Sequence, residues 1–397
     1  MRRVYHSLPR RRTTTAIRDA EDFEGRKIAV VGGGLAGLSV AFHLLEKTNA
    51  SIKLTLLDKA EPGCGGASSV AGGLLHPFSP RGKIIHWGTE GLASSSSLID
   101  ASQQFESGCV LRDRLYRVAL TEANVDQLSK TAAMYPELAS WLGPEEIEDA
   151  CGADSLGGLV LANGCKVVNV PSYLRGLWLA CEDLSKGTAE WSLQGSDQDW
   201  KDRLRDFDTV IFAAGSGMFQ DQILKRDAVD FPADLIRGQS LEMTAGSSKE
   251  PAVKNRNEEE AILCGKYVVP MAGKSRVLVG ATHEYTSDPC SEDEVVAELT
   301  ARTQKLCPSL WENGTVSRIT SGYRVQSMRG QHGRVPIIGR SCGDLHDDAW
   351  LFTGLSSRGL IYHGIYGDIL SGAVLEGNEE SMLKKYPHLG WWKRNKK

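Results

Sequence analysis

The run KIAVVGGGLAGLSVAFHLL, residues 27–45, constrains this chain more than any other stretch. Lys27–Val31 reads as a buried strand, Gly32 to Gly37 as a glycine turn, and Leu35, Leu38, Ala41 and Leu45 then recur at helical spacing. In this G-x-G-x-x-G arrangement Gly32 permits the turn, Gly34 lets a diphosphate approach the backbone, and Gly37 lets helix and strand pack closely. A second apolar run, Ile52–Leu57, ends in Asp58, 21 residues beyond Gly37. A carboxylate there accepts hydrogen bonds from ribose hydroxyls, and an acid in place of an arginine disfavours a 2′-phosphate. The 18 uncharged residues Ile28–Leu45 have the length of a membrane span, but the glycine cluster and His43 argue for a turn between two soluble elements.

At 397 residues, 41% hydrophobic and 24% charged, the chain is long enough for two domains or one interleaved domain. Nine cysteines without a C-x-x-C pair give neither a disulfide framework nor a zinc spacing, so a reducing compartment is expected. Charge is unevenly placed. Residues 1–18 and 384–397 each carry +6 and no acid, and the residues between them carry −16. An acidic body excludes a broad nucleic-acid face there and leaves the basic ends as the place where RNA is gripped, if anywhere. The arginine- and hydroxyl-rich start has the composition of an address for a mitochondrion or chloroplast; the alternative is a basic tail on a cytoplasmic protein.

Gly63 to Gly73 form a loop of small residues. Helices are expected over 91–107 and 123–141, with a strand over 110–121 between them, and Pro171 opens a further helix. Thr209 to Gly217 (TVIFAAGSG) reads as a buried strand ending in glycine, which suits a parallel sheet. Residues 232–325 change character to strands separated by polar loops, with one helix over 292–305. Trp350 to Leu360 (WLFTGLSSRGL) is again strand, glycine turn and helix, with the helix running on through Ile369, so the chain returns to its first domain at its end.

Taken in order, VGGGLAGLS with Asp58, GGASSVAGGLLHP, VIFAAGSG, IRGQS, SGYR and GLSSRGL resemble the FAD-dependent oxidoreductases of the D-amino-acid oxidase, glycine oxidase and sarcosine oxidase type, over about residues 27–378. The runs after Gly65 and around Arg237 and Gly354 look most like the oxidase half of a bifunctional enzyme that modifies the tRNA wobble uridine. The resemblance implies an α/β fold: a Rossmann-type, doubly wound, mostly parallel FAD-binding domain with a largely antiparallel α+β substrate domain. The expected boundaries are a basic segment over 1–26, an FAD domain over 27–115, 160–225 and 330–378, a substrate domain over 116–159 and 226–329, and a basic tail over 379–397.

Carried over position by position, Gly32, Gly34, Leu35, Ala36 and Gly37 would surround the FAD diphosphate, and Asp58 and Lys59 the adenosine ribose. Ala67, Ser68, Gly72, Gly73 and Leu74 would line the flavin, Gly354, Ser356, Arg358, Gly359 and Leu360 would close on its ring, and Gly215 would also bind the cofactor. Members that attach flavin through cysteine do so just after the SGYR arginine. Ser327-Met328-Arg329 offers no thiol there, so dissociable FAD is expected.

The same resemblance makes Arg324 the clamp for a substrate carboxylate, a task its planar two-pronged guanidinium suits. The expected reaction is oxidation of the C–N bond of a small carboxylate-bearing amine by hydride transfer to the flavin. The alternatives are wobble-uridine modification, with tRNA held by the basic ends, and an FAD-containing assembly factor without turnover. His76, His86, His283 and His363 have no spaced partner in the sequence and are expected in structural or exposed positions.

Overall fold

The computed structural model describes residues 23–194, 199–220, 231–246, 259–273, 275–285, 290–341 and 346–393. The basic segment before residue 23, the last four residues and the expected boundary between 225 and 226 lie outside the described residues.

Strands are numbered in chain order. The first sheet contains β1 (Lys27–Val31), β2 (Lys53–Asp58), β9 (Ala189–Leu193), β10 (Thr209–Phe212), β16 (Ile337–Arg340) and β17 (Ala349–Thr353), ordered β16-β17-β10-β1-β2-β9. All neighbours are parallel except the β16–β17 pair. Alternation along the strands splits its side chains between two cores. Ile28, Val30, Leu54, Leu56, Ile211 and Phe352 face helices α1 (Leu35–Lys47), α2 (Gly88–Gln103), α5 (Val170–Ser185) and α10 (Gly359–Glu376). Ala29, Val31, Leu57, Val210, Phe212 and Leu351 face Met218, Leu204 and the two tryptophans of the C-terminal turn, Trp391 and Trp392. The expected doubly wound sheet is therefore covered by long helices on one face. The other carries short pieces, α6 (Asp199–Arg203), α7 (Gly217–Gln220) and the turn Pro387–Lys393.

The basic end is folded through Lys393. After α11 (Glu379–Lys385), Leu389 is fully buried and the Trp392 indole N–H donates to the Ile338 carbonyl.

The second sheet has eight strands: β5 (Leu115–Val118), β6 (Ala139–Leu142), β7 (Gly158–Leu161), β11 (Ala233–Thr244), β12 (Ile262–Cys264), β13 (Lys266–Pro270), β14 (Arg276–Gly280) and β15 (Thr315–Ser327). Their order is β15-β11-β14-β13-β12-β5-β7-β6, antiparallel except where β12 meets β5. Its outer face packs Tyr116, Val118, Leu241, Val268, Val277 and Val279 against α4 (Pro144–Cys151), α8 (Glu292–Thr303) and α9 (Pro308–Asn313). By alternation Arg117, Ser240, Tyr267 and Arg324 point the other way, toward the first sheet. A third, small sheet joins β3 (Leu74–Leu75), β8 (Lys166–Val168) and β4 (Val110–Arg112).

Three local expectations are corrected. The helix over 123–141 is α3 (Glu122–Met134) and then β6, because Pro136 disfavours helical backbone at Tyr135 and the chain turns there. The strand over 110–121 is two strands in different sheets, β4 and β5, separated at Asp113-Arg114. The last helix runs past Ile369 to Glu376 and is ended by Gly377 at φ 64°. Among the described residues no helix is long and apolar enough to cross a membrane.

Candidate active site

The C-terminal ends of β1, β2, β10 and β17 open onto one cavity of about 910 Å³, roofed by the inner face of the eight-stranded sheet. Ligand sites of open α/β sheets form at this end because the strand-to-helix loops diverge there. Gly32, Gly34, Leu35, Ala36, Asp58, Lys59, Ala67, Ser68, Gly72, Gly73, Leu74, Gly215, Arg324, Gly354, Ser356, Arg358, Gly359 and Leu360 all line it. Gly37 does not. It sits behind the wall, where a Cβ would run into the Gly32 carbonyl oxygen, so its contribution is the close approach of α1 to β1.

At one end, both Asp58 carboxylate oxygens are anchored by backbone: Oδ2 accepts from the Gly33 N–H (2.6 Å) and Oδ1 from the Ala60 N–H (2.9 Å). Helix α1 begins after the N-cap Gly34, which has no side chain to cap with, and its first turn carries no acid. That leaves amide donors and the positive end of the helix dipole facing the cavity. The Ser68 hydroxyl accepts from the Leu35 N–H at 3.3 Å and stands 3.0 Å from where a Gly34 Cβ would lie. Farther along, a Cβ on Gly72 would meet the Tyr267 ring at 2.8 Å, so the small-residue loop passes directly under β13.

At the other end stands Arg324, paired across β11–β15 with Ile236. Its Nη2 donates to the Thr282 carbonyl (3.3 Å) and lies 3.1 Å from the Cβ position of Gly238. Burial pushes its pKa down, with the Tyr267 hydroxyl opposing that shift. No carboxylate among the described residues pairs with it. Tyr267 is half-buried, desolvation raises its pKa, and its hydroxyl shares a 3.2 Å hydrogen bond with Ser240. Tyr267 carries no sequence signal, and Ser240 enters the sequence only as the last residue of IRGQS; alternation on β13 and β11 brings the two together once the sheet is known.

The histidines divide. His76 and His283 both line the cavity; His283 is exposed, as expected, and His76 is half-buried. The His76 Nδ1 accepts from the Phe78 N–H (3.2 Å), so its neutral ring carries the proton on Nε2. Burial first, then the charges of Arg117 and Arg358, lower its pKa to about 4. At neutral pH His76 is thus a hydrogen-bond donor and not a base. His86 stacks on Trp87 in a ring cluster with His332 and His388.

His363 is fully buried: its Nε2 accepts from the Tyr173 hydroxyl (2.6 Å), and its Nδ1 lies 3.1 Å from the Gly359 and Leu360 carbonyls. Burial lowers its pKa to about 4. Its folded pKa lies below the unfolded value of about 6.5, so the unfolded chain binds the extra proton between those values. The neutral ring's contribution is complete above pH 6.5 and is lost as pH falls toward 4, about 3 kcal/mol for this group. Urea midpoints between pH 7 and 4.5 should fall steeply, and His363→Gln should flatten that slope.

The family model described as DAO, FAD dependent oxidoreductase, matches residues 27–373. The chain belongs to this family. As an FAD-dependent oxidoreductase it is 25% identical over 376 residues to the tRNA 5-methylaminomethyl-2-thiouridine biosynthesis bifunctional protein MnmC of Thiobacillus denitrificans. That match takes in 88% of this chain and 56% of MnmC, so the chain spans little more than half the length of that relative. It is 24% identical over 384 residues to glycine oxidase of Pseudomonas putida, covering 88% of this chain and 95% of that protein. Glycine oxidase from Geobacillus kaustophilus shares the fold with a TM-score of 0.66 at 20% identity, covering 90% of this chain and 96% of the other. Iminodiacetate oxidase from Chelativorans sp. BNC1 does so with 0.67 at 19%, covering 90% and 98%.

Proposed function

We propose that this FAD-dependent oxidoreductase oxidises a C–N bond beside a carboxylate, with Arg324 as the carboxylate clamp. The observation that carries the reading is a half-buried guanidinium, facing the cavity, with no carboxylate of its own among the described residues. A buried charge is costly unless paired, and a substrate carboxylate is the counter-ion that would complete it. Tyr267 supplies a hydroxyl beside that clamp, and the sheet above excludes water. The similarity to two oxidases of amino-acid-like amines supports the same reading.

The cavity's donors fit FAD. Asp58 would hold the ribose, the bare start of α1 with Ser68 the diphosphate, and Gly72 to Leu74 with Gly354 to Leu360 the ring system. Bound FAD supplies the two-electron acceptor. The chain's own task is to fix the amine over it by the carboxylate and to keep His76 neutral and donating. Asp58→Ala removes an acceptor and releases the Gly33 N–H; FAD affinity measured by equilibrium dialysis should fall by roughly 1.5–3 kcal/mol, about ten- to a hundredfold in Kd.

The test is anaerobic mixing of the yellow protein with glycine, sarcosine, iminodiacetate and D-amino acids. Loss of the flavin absorbance with one of them is expected. An unchanged spectrum with every carboxylate-bearing amine would overturn the reading. The similarity to MnmC favours a second reading, removal of a carboxymethyl group from a modified tRNA base. Bleaching by tRNA carrying that group, and by none of the free amines, would select it.

A further inference from the structure

We propose that the cavity is built for a substrate with two anionic groups, the second seated on Arg117 of β5, roughly three strand spacings from the Arg324 clamp. The inference rests on the reading of Arg324 given above and names the substrate class that reading leaves open.

Arg117 is paired in register with Leu263 of β12 and Leu159 of β7, and it lines the cavity. It shares this inward face of the strand with Leu115, while Tyr116 and Val118 are packed in the outer core. Its Nη1 and Nη2 donate to the carbonyl oxygens of Ser79 (2.8 Å) and Pro80. A guanidinium has five N–H donors, so these two acceptors leave others unused, and carbonyls do not neutralise the charge.

Other arginines, most of them more exposed than Arg117, are nevertheless held by carboxylates in this fold. Arg114, three residues earlier, is held by Glu260 at 2.6 Å, Arg340 by Asp348 at 2.7 Å, and Arg276 and Arg318 by Glu242. Arg117 has no carboxylate among the described residues, and burial lowers its pKa. A half-buried cation that opens onto a cavity without a carboxylate of its own is completed by an anion that enters the cavity.

The sheet sets the distance. Arg324 rests on Thr282, just past β14, and β14 and β5 are separated by β13 and β12. Three strand spacings amount to roughly 14 Å. Glycine or sarcosine held by Arg324 cannot reach Arg117. An amine whose carboxylate is joined through several bonds to a second carboxylate, phosphonate or phosphate can.

The experiment uses the FAD-loaded protein and inert ligands. Straight-chain monocarboxylates, α,ω-dicarboxylates and ω-phosphonocarboxylates of matched length are titrated against the absorbance of the bound flavin, for wild type, Arg117→Met and Arg117→Lys. In wild type, one chain length of the doubly charged ligands should bind at least tenfold tighter than its singly charged match. Arg117→Met should erase that preference and leave monocarboxylate binding unchanged; Arg117→Lys should keep part of it. The better of the two series tells carboxylate from phosphonate as the preferred second group.

Equal affinity for singly and doubly charged ligands at every length in wild type would overturn the proposal. So would an Arg117→Met variant that weakens both equally, because that is the behaviour of a fastener for the Ser79–Pro80 loop. A variant that shifts the flavin spectrum but keeps the ligand preference would also overturn it. If Arg117→Met does not fold, the wild-type ratio and the lysine variant decide. Since the titration needs no turnover, failure to oxidise any amine would count against amine oxidation alone.

Discussion

Gly37→Ala should give a colourless protein destabilised by about 3 kcal/mol or more. A single methyl has such an effect because its position is already taken: a Cβ on Gly37 would run into the Gly32 carbonyl oxygen and meet Val30 Cγ1 at 3.2 Å. Both belong to the strand and turn from which α1 departs, so relief requires moving backbone. Overpacking of cores costs typically 1–3 kcal/mol where side chains can shift, and here a main-chain oxygen must move. That oxygen belongs to the turn whose amides face the diphosphate end of the cavity. Stability and flavin content should therefore fall together. Gly372→Ala is the control, since it lies inside α10 with nothing within 4 Å of its Cβ position. It should keep FAD and gain roughly 0.5–1 kcal/mol from helix propensity. Urea midpoints with an unchanged m value, together with the ratio of flavin to protein absorbance, separate the two variants. A yellow Gly37→Ala protein of wild-type stability would mean that α1 can move away from β1 at little cost.

The contrast between these glycines shows where the sequence was legible. The first strand, the glycine turn, α1 and Asp58 follow from spacing within one short stretch, where each residue's task depends on near neighbours. Lys27–Val31 was read with its bounds as observed, and Asp58 lies at the cavity's edge as expected. Gly33 was not interpretable in the same way. Its missing side chain makes room for the ring of Trp191, brought there by β9 on the far side of β2. Arg117 and Tyr267 were missed for a related reason. Their approach to one cavity depends on the parallel β5–β12 pairing, which joins segments nearly 150 residues apart and has no local pattern to announce it. The misread helix over 139–141 had a local signal, Pro136, that was outweighed by apolar content.

Arg324→Lys should leave a yellow, stable protein in which carboxylate-bearing amines are oxidised slowly. Lysine keeps the positive charge at the end of β15 but replaces a planar fork by a single rotatable ammonium. In the wild-type site one guanidinium edge is fixed by the Thr282 carbonyl, and Gly238, which presents no side chain, leaves room for the plane to lie across β11. The other edge is then free to take a carboxylate in two places. An ammonium cannot hold the Thr282 oxygen and both carboxylate oxygens with the same geometry. The amine would pivot about one contact, and its reacting carbon would leave the position fixed over the flavin. Displacements of about 1 Å from reactive geometry cost on the order of a hundredfold in rate. The variant is therefore expected to show a raised KM for carboxylate-bearing amines, flavin reduction slowed on that order, and a much smaller change for amines that lack the carboxylate. Rapid-mixing measurement of flavin reduction under nitrogen separates the two effects, because it reads binding from the concentration dependence and the chemical step from the limiting rate. Equal losses for both kinds of amine would remove Arg324 from the clamp. Loss of FAD with normal folding would place the guanidinium on the cofactor's side of the cavity, and the unpaired charge would then await a different counter-ion.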